Sequence, residues 1–211
     1  MLRELTERDV AAVESALASE FHALFVTKGE GITALPVSLA ALFVEAVGFV
    51  TGGGLRADAW LDEWGTTVGN VVLLPRRPLS PDAAIDLRVH EVAHATQFLR
   101  AVVSGDVEEG ILAPFLWSYV TSPEARARYE ADAFGTTLEL GVRARGWGAV
   151  ECRAFIESVV ESLRHYALGD GDRELAAQIL DARAASLLAG TVSLHPVAAS
   201  ALRTLRRVGA L

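Results

Sequence analysis

A chain of 211 residues with a formal charge of −8 can bury one substantial core, and its sign is wrong for gripping phosphate backbones, so no nucleic-acid partner is expected. Half of the residues are apolar and the mean hydropathy is +0.31. Even so, the longest apolar run, 35–50, is broken by Ser38, Glu45 and Gly48 and falls short of the ~20 residues that a bilayer span needs, so no stable membrane span is expected. The single cysteine, Cys152, excludes an intrachain disulfide, and residues 1–9 form no apolar leader. Both point to the cytoplasm, with export by a leaderless route left open.

In chain order, Val10, Val13, Leu17, Phe21, Leu24 and Phe25 recur at helical spacing, which predicts a helix over 6–27. Thr6 and Asp9 are spaced as a capping box, and Gly29 and Gly31 close the segment. His22 lies beside the apolar stripe and reads as a surface or satisfied histidine. Pro36 opens a second, core helix that Gly52-Gly53-Gly54 ends. Trp60 and Trp64, four apart, fit one helical turn packed on the core or the lining of a pocket. Asn70-Val71-Val72-Leu73-Leu74-Pro75 reads as a short strand stopped by proline.

Ser80-Pro81-Asp82 is a helix start: an N-cap serine, a proline at the first position and an acid in the first turn. The helix is expected over 81–104, and in its middle stands His90-Glu91-Val92-Ala93-His94. Residues four apart share one helix face, so His90 and His94 can converge on one metal ion. Glu91, one residue on, projects beside the pair and can reach a water on that metal. This is the H-E-x-x-H arrangement, in which the histidines ligate zinc and the glutamate is the general base.

Beyond Gly105, residues 107–120 read as an apolar helical segment bent or begun at Pro114. Ser122-Pro123-Glu124 repeats the start signature for a helix to about residue 145. Gly146-Trp147-Gly148 separates it from a helix over 149–168. Gly169-Asp170-Gly171-Asp172 is read as a turn, because a calcium loop needs more spaced oxygens. Helices over 173–188 and 196–208 complete a mostly α outline: one helical domain spanning 1–211, with a small β element before the motif helix and flanking helices at both ends.

A catalytic zinc takes three protein ligands and a water. Gln97 and Arg100 stand where a glycine and a third histidine would extend the motif, which rules out that pattern. A glutamate on a later helix is the other option, and Glu130 fits it, with Glu124, Glu108 and Glu109, near helix starts or in the connection, as further candidates. The combination of His90-Glu91-x-x-His94-x-x-Gln97 with Tyr129-Glu130-Ala131-Asp132-Ala133 resembles gluzincin-like zinc metallopeptidases of bacteria and phages, including domains attached to contractile injection systems. The resemblance covers roughly residues 71–134. It implies a zincin-like α+β fold, Zn²⁺ held by His90, His94 and Glu130, Glu91 as general base, and a peptide or protein substrate lying along Asn70 to Leu74. Asp132 is the alternative third ligand.

Several secondary roles stay open. Tyr119, Tyr129, Tyr166 and His165 are candidate donors to a developing oxyanion, His165 is also a conceivable ligand, and His195, before Pro196, suits a structural role. Gln97, one turn past His94, is placed to receive that ligand's second N–H. Arg88 before the first histidine and Thr96 after the second depart from longer zincin patterns. They keep open a non-catalytic zinc-binding assembly or interaction protein, or a precursor whose C-terminal helices cover its own site.

Overall fold

The computed structural model describes residues 3–28, 61–62, 65–103, 118–119 and 121–211. The expected helix after Pro36, Trp60 and Trp64, and most of the 107–120 segment lie outside the described residues. What is described is mostly helical, with one small three-stranded sheet.

Helix α1, Glu7–Phe21, begins as the capping box requires: the Asp9 carboxylate accepts from the backbone N–H and the hydroxyl of Thr6, both at 2.8 Å. Arg3 closes on the same carboxylate with two bonds of 2.7 and 2.6 Å. The helix stops earlier than the apolar spacing suggests. His22 takes a left-handed conformation (φ 53°, ψ 28°), and Leu24–Thr27 leaves as strand β1. The spacing of Leu24 and Phe25 fits either structure. The choice falls to tertiary pairing, because β3 offers a ladder running from Leu24 N–H on Asn70 O (2.8 Å) to Lys28 N–H on Leu74 O (3.0 Å).

Strands β2, Thr66–Val68, and β3, Val71–Leu74, form an antiparallel hairpin turned by Gly69 at φ +65° and Asn70. A positive φ at the first turn position is why glycine stands there. The sheet order is β1-β3-β2, with β1 parallel to β3. This corrects the expectation that a substrate pairs with residues 70–74: β3 is the central strand, and both of its edges are taken by β1 and β2.

Helix α2 is described over Pro81–Val103 and lays Ile85, Val89 and Val92 against β3 and α1. Helix α3, Pro123–Ala144, is capped by Ser122 Oγ, which accepts from Ala125 N–H at 3.1 Å. Helix α4 runs over Ala149–Ser162 and not to residue 168. A 3₁₀ turn, Leu163–Tyr166, follows it, and left-handed Ala167 ends the run. Helix α5, Asp170–Leu188, starts inside the predicted turn. The Asp172 carboxylate accepts from Gly169 N–H at 3.3 Å, so the Gly-Asp-Gly-Asp stretch caps a helix. Helix α6, Pro196–Arg207, packs its apolar face on α1 and α3.

Among the described residues, apolar side chains gather in two clusters. One joins α1, the sheet, α2 and α6 through Val13, Leu17, Val72, Ile85, Val89 and Leu202. The other joins α3, α4 and α5 through Ala127, Leu138, Ile156, Leu163, Leu180 and Leu187. Helices α2 and α3 cross between them, and the polar side chains of the candidate site stand at that crossing. Among the described residues no helix is long and apolar enough to cross a membrane.

Candidate metal centre

His90 and His94 point from α2, and Glu130 points from α3 toward them. One donor atom from each lies within 4.8 Å of the other two, and all three side chains are buried. Two ligands bound at ~2.0–2.1 Å across a tetrahedral angle stand ~3.3–3.4 Å apart. Here the two Nε2 atoms are 3.2 Å apart, His90 Nε2 is 3.6 Å from Glu130 Oε2, and His94 Nε2 is 3.5 Å from Glu130 Oε1. The imidazole separation is that of two ligands on one tetrahedral ion, and each imidazole has a Glu130 oxygen at a similar distance, Oε2 beside His90 and Oε1 beside His94.

The surrounding bonds aim these atoms. Gln97 donates its amide N–H groups to Tyr129 O and to Asp132 Oδ2, both at 3.0 Å. Both partners only accept, so the amide can have one orientation, with Oε1 toward His94 Nδ1 at 2.9 Å. In its neutral, metal-binding form His94 then carries its proton on Nδ1 and presents the Nε2 lone pair inward. Asp132, the alternative third ligand, is used up in orienting Gln97 and does not join the three donors.

Glu130 accepts a short hydrogen bond from the Tyr119 hydroxyl on Oε1, whereas Oε2 is buried with no hydrogen-bond partner among the described residues. A carboxylate oxygen left so costs about 1–3 kcal/mol or more, and a cation at the centre would remove that cost. His90 packs its ring 4.3 Å from that of Phe134, and its Nδ1 is also buried without a partner. Electrostatics point the same way. At His90, burial and then the His94 charge bring the pKa down to about 3. At His94, burial is outweighed by Glu130 and the bonds to Glu130 and Gln97, and the pKa rises to about 9. Burial raises the Glu130 carboxyl, but the imidazoles and Tyr119 win and hold it below its ordinary range. The centre therefore favours one positive charge among two imidazoles and a carboxylate. Two nitrogen donors with one oxygen donor suit zinc in a tetrahedral site.

Glu91 stands beside this centre on the side of β2. Its Oε2 lies 2.8 Å from Thr67 Oγ1, which is also 2.9 Å from the Glu91 backbone carbonyl. Gly65 passes so close that a Cβ there would lie 2.5 Å from Glu91 Oε1 and 2.6 Å from Leu87 Cδ1. Burial raises the Glu91 carboxyl, with His94, Thr67 and Lys28 pulling it back. Lys28, the only lysine of the chain, is fully buried at the end of β1. Burial draws its pKa down to about 7, against the pull of Glu91.

Sequence reasoning did not single out Gly65 and Thr67. The β-branched pair Thr66-Thr67 before Gly69-Asn70 was the available sign of a hairpin. Arg88, whose charge looked out of place, turns away from the centre to Glu14 on α1 at 2.6 Å. Thr96 bonds back to Ala93 O at 2.8 Å within its own helix. His22 and His165 are exposed, outside the three-donor group. His195 caps α6, its ring Nδ1 accepting from Val197 N–H at 3.3 Å, and its backbone N–H donates to Glu139 Oε2 at 2.8 Å. Searches of protein-family models, of curated proteins and of solved structures find nothing that matches this chain.

Proposed function

We propose that the chain is a zinc-dependent metallopeptidase, similar to gluzincins in its ligand set, that hydrolyses a peptide or protein substrate in the cytoplasm. The observation that carries the reading is the buried His90–His94–Glu130 group, with the two Nε2 atoms 3.2 Å apart and a Glu130 oxygen within 3.6 Å of each, and a buried carboxylate, Glu91, held beside it. Zinc at such a site polarises a carbonyl and lowers the pKa of a coordinated water toward ~7. His90, His94 and Glu130 would hold the ion. Gln97 and Asp132 fix the ring of His94 and its tautomer. Glu91, whose carboxyl burial raises above its ordinary pKa, is suited to take a proton from water and pass it to the leaving amine. Thr67 and Gly65 limit the positions its carboxylate can adopt.

A second reading, a zinc-binding assembly or interaction protein without catalysis, is favoured by burial. His90 is 7% exposed, Glu91 5%, His94 9% and Glu130 1%, which is little for groups that must meet a substrate. One experiment separates the two. Protein loaded with zinc and the Glu91→Gln variant are compared for metal content and for hydrolysis of a broad peptide library. The peptidase reading expects equal zinc and a loss of activity of at least ~100-fold in the variant. Equal, metal-independent activity in both would refute it, and zinc uptake with no hydrolysis in either would select the second reading.

A further inference from the structure

Tyr119 is gripped at both ends by α3. Arg126 and Glu130 stand four residues apart and so share one face of that helix. Arg126 Nε donates to the backbone carbonyl of Tyr119 at 2.7 Å, and its guanidinium lies 5.6 Å from the centre of the Tyr119 ring. One turn on, Glu130 Oε1 accepts from the Tyr119 hydroxyl. The other arm of Arg126 donates to Tyr166 O at 2.7 Å, at the end of the 3₁₀ turn that left-handed Ala167 closes. Arg126 is itself buried, so this brace ties the segment before α3 to the α4–α5 connection directly behind the metal centre.

The result divides the two oxygens of Glu130. Oε1, 3.5 Å from His94 Nε2, also accepts from Tyr119, whereas Oε2, 3.6 Å from His90 Nε2, is buried with no hydrogen-bond partner among the described residues. We propose that Tyr119 is a positioning residue that restricts Glu130 to ligating metal through Oε2 alone, with Arg126 as the brace that keeps Tyr119 in place. A carboxylate bound through one oxygen fills one coordination position and through two fills two. With two imidazoles, one-oxygen binding leaves a tetrahedral position open, as a catalytic zinc needs. The phenol proton engaged on Oε1 is not available to an oxyanion, so Tyr119 leaves the list of oxyanion donors. This inference rests on the metal-centre reading above.

The test uses the whole chain stripped of metal, as wild type, Tyr119→Phe, Arg126→Gln and Glu130→Gln, each checked for fold by circular dichroism. Cobalt(II) is added and its visible absorption recorded, and zinc affinity is measured by competition with a chelator. Wild type should give the intense bands of four-coordinate cobalt. Tyr119→Phe should give the weaker bands of higher coordination, with zinc affinity lower by about 10–100-fold. Arg126→Gln should move both readouts in the same direction. Wild-type bands and affinity in Tyr119→Phe and Arg126→Gln, with affinity lost only in Glu130→Gln, would overturn the role of Tyr119 and leave the metal centre standing. Wild-type affinity in Glu130→Gln would remove the centre itself, and this inference with it.

Discussion

Replacing Gln97 with leucine tests the link between the turn of α2 that follows His94 and the metal centre. The change keeps roughly the volume of the side chain and removes three hydrogen bonds, to His94 Nδ1 at 2.9 Å and to Tyr129 O and Asp132 Oδ2 at 3.0 Å each. At about 1 kcal/mol for each net bond, and with the larger cost of buried partners left unpaired, the fold should lose about 2–4 kcal/mol. For a chain of this length that lowers Tm by roughly 5–12 °C. The more telling effect is on His94. With no acceptor at Nδ1 the ring is free to place its proton on Nε2, the atom that must face the metal. Zinc affinity should drop about 10–100-fold, or about 1.4–2.8 kcal/mol. Chelator competition reads the affinity, and nitrogen-15 histidine spectra read the tautomer in the metal-free protein at a pH above the His94 pKa of about 9. A variant whose affinity stays within twofold of wild type, with His94 still protonated on Nδ1, would refute the argument that Gln97 sets the tautomer.

Gly65→Ala should separate the base from the ligands. The new methyl would collide with the Glu91 carboxylate and Leu87, so hydrolysis should drop by at least ~10²-fold while zinc content stays at wild-type level, read by peptide assay and metal analysis on one preparation. Asp9→Asn should flatten the acid limb of stability. The Arg3 bonds, against burial and with help from Thr6, hold the Asp9 carboxyl well below the usual carboxylate range. A depressed carboxylate stabilises above its unfolded pKa of ~3.9 and loses that contribution as pH falls through the folded value. Wild type should therefore exceed the variant by about 1–3 kcal/mol at pH 7, and the gap should narrow below pH ~4, as urea unfolding at pH 7 and pH 3 would report. An equal gap at both pH values would contradict it.

What was legible in the sequence was local. The capping box at Thr6 and Asp9, the Ser-Pro-acid starts of α2 and α3 and the one-turn spacing of His90 and His94 each join residues three or four apart. Such relations follow from backbone geometry, and packing changes them little. Errors fell where a local pattern allowed two structures. Leu24 and Phe25 fit a helical stripe as well as a strand, and only the backbone of β3 decided between them. Gly169 to Asp172 could turn or cap, and the bond of Asp172 back to Gly169 decided for the cap.

The site divides in the same way. By itself the sequence determined that two imidazoles and a carboxylate project together from a well-capped helix, because their spacing matches the helix period. Only the tertiary structure decided the rest, since no local rule relates residues so far apart in the chain. Crossing α2 over α3 put Glu130 at the imidazoles and Asp132 behind Gln97, although the two acids are only one residue from adjacent. Pairing β3 on both edges closed it to an extended substrate, and the approach of β2 to α2 set Thr67 and Gly65 against Glu91. Each of these depends on which faces are buried against each other, and burial is decided by the whole chain.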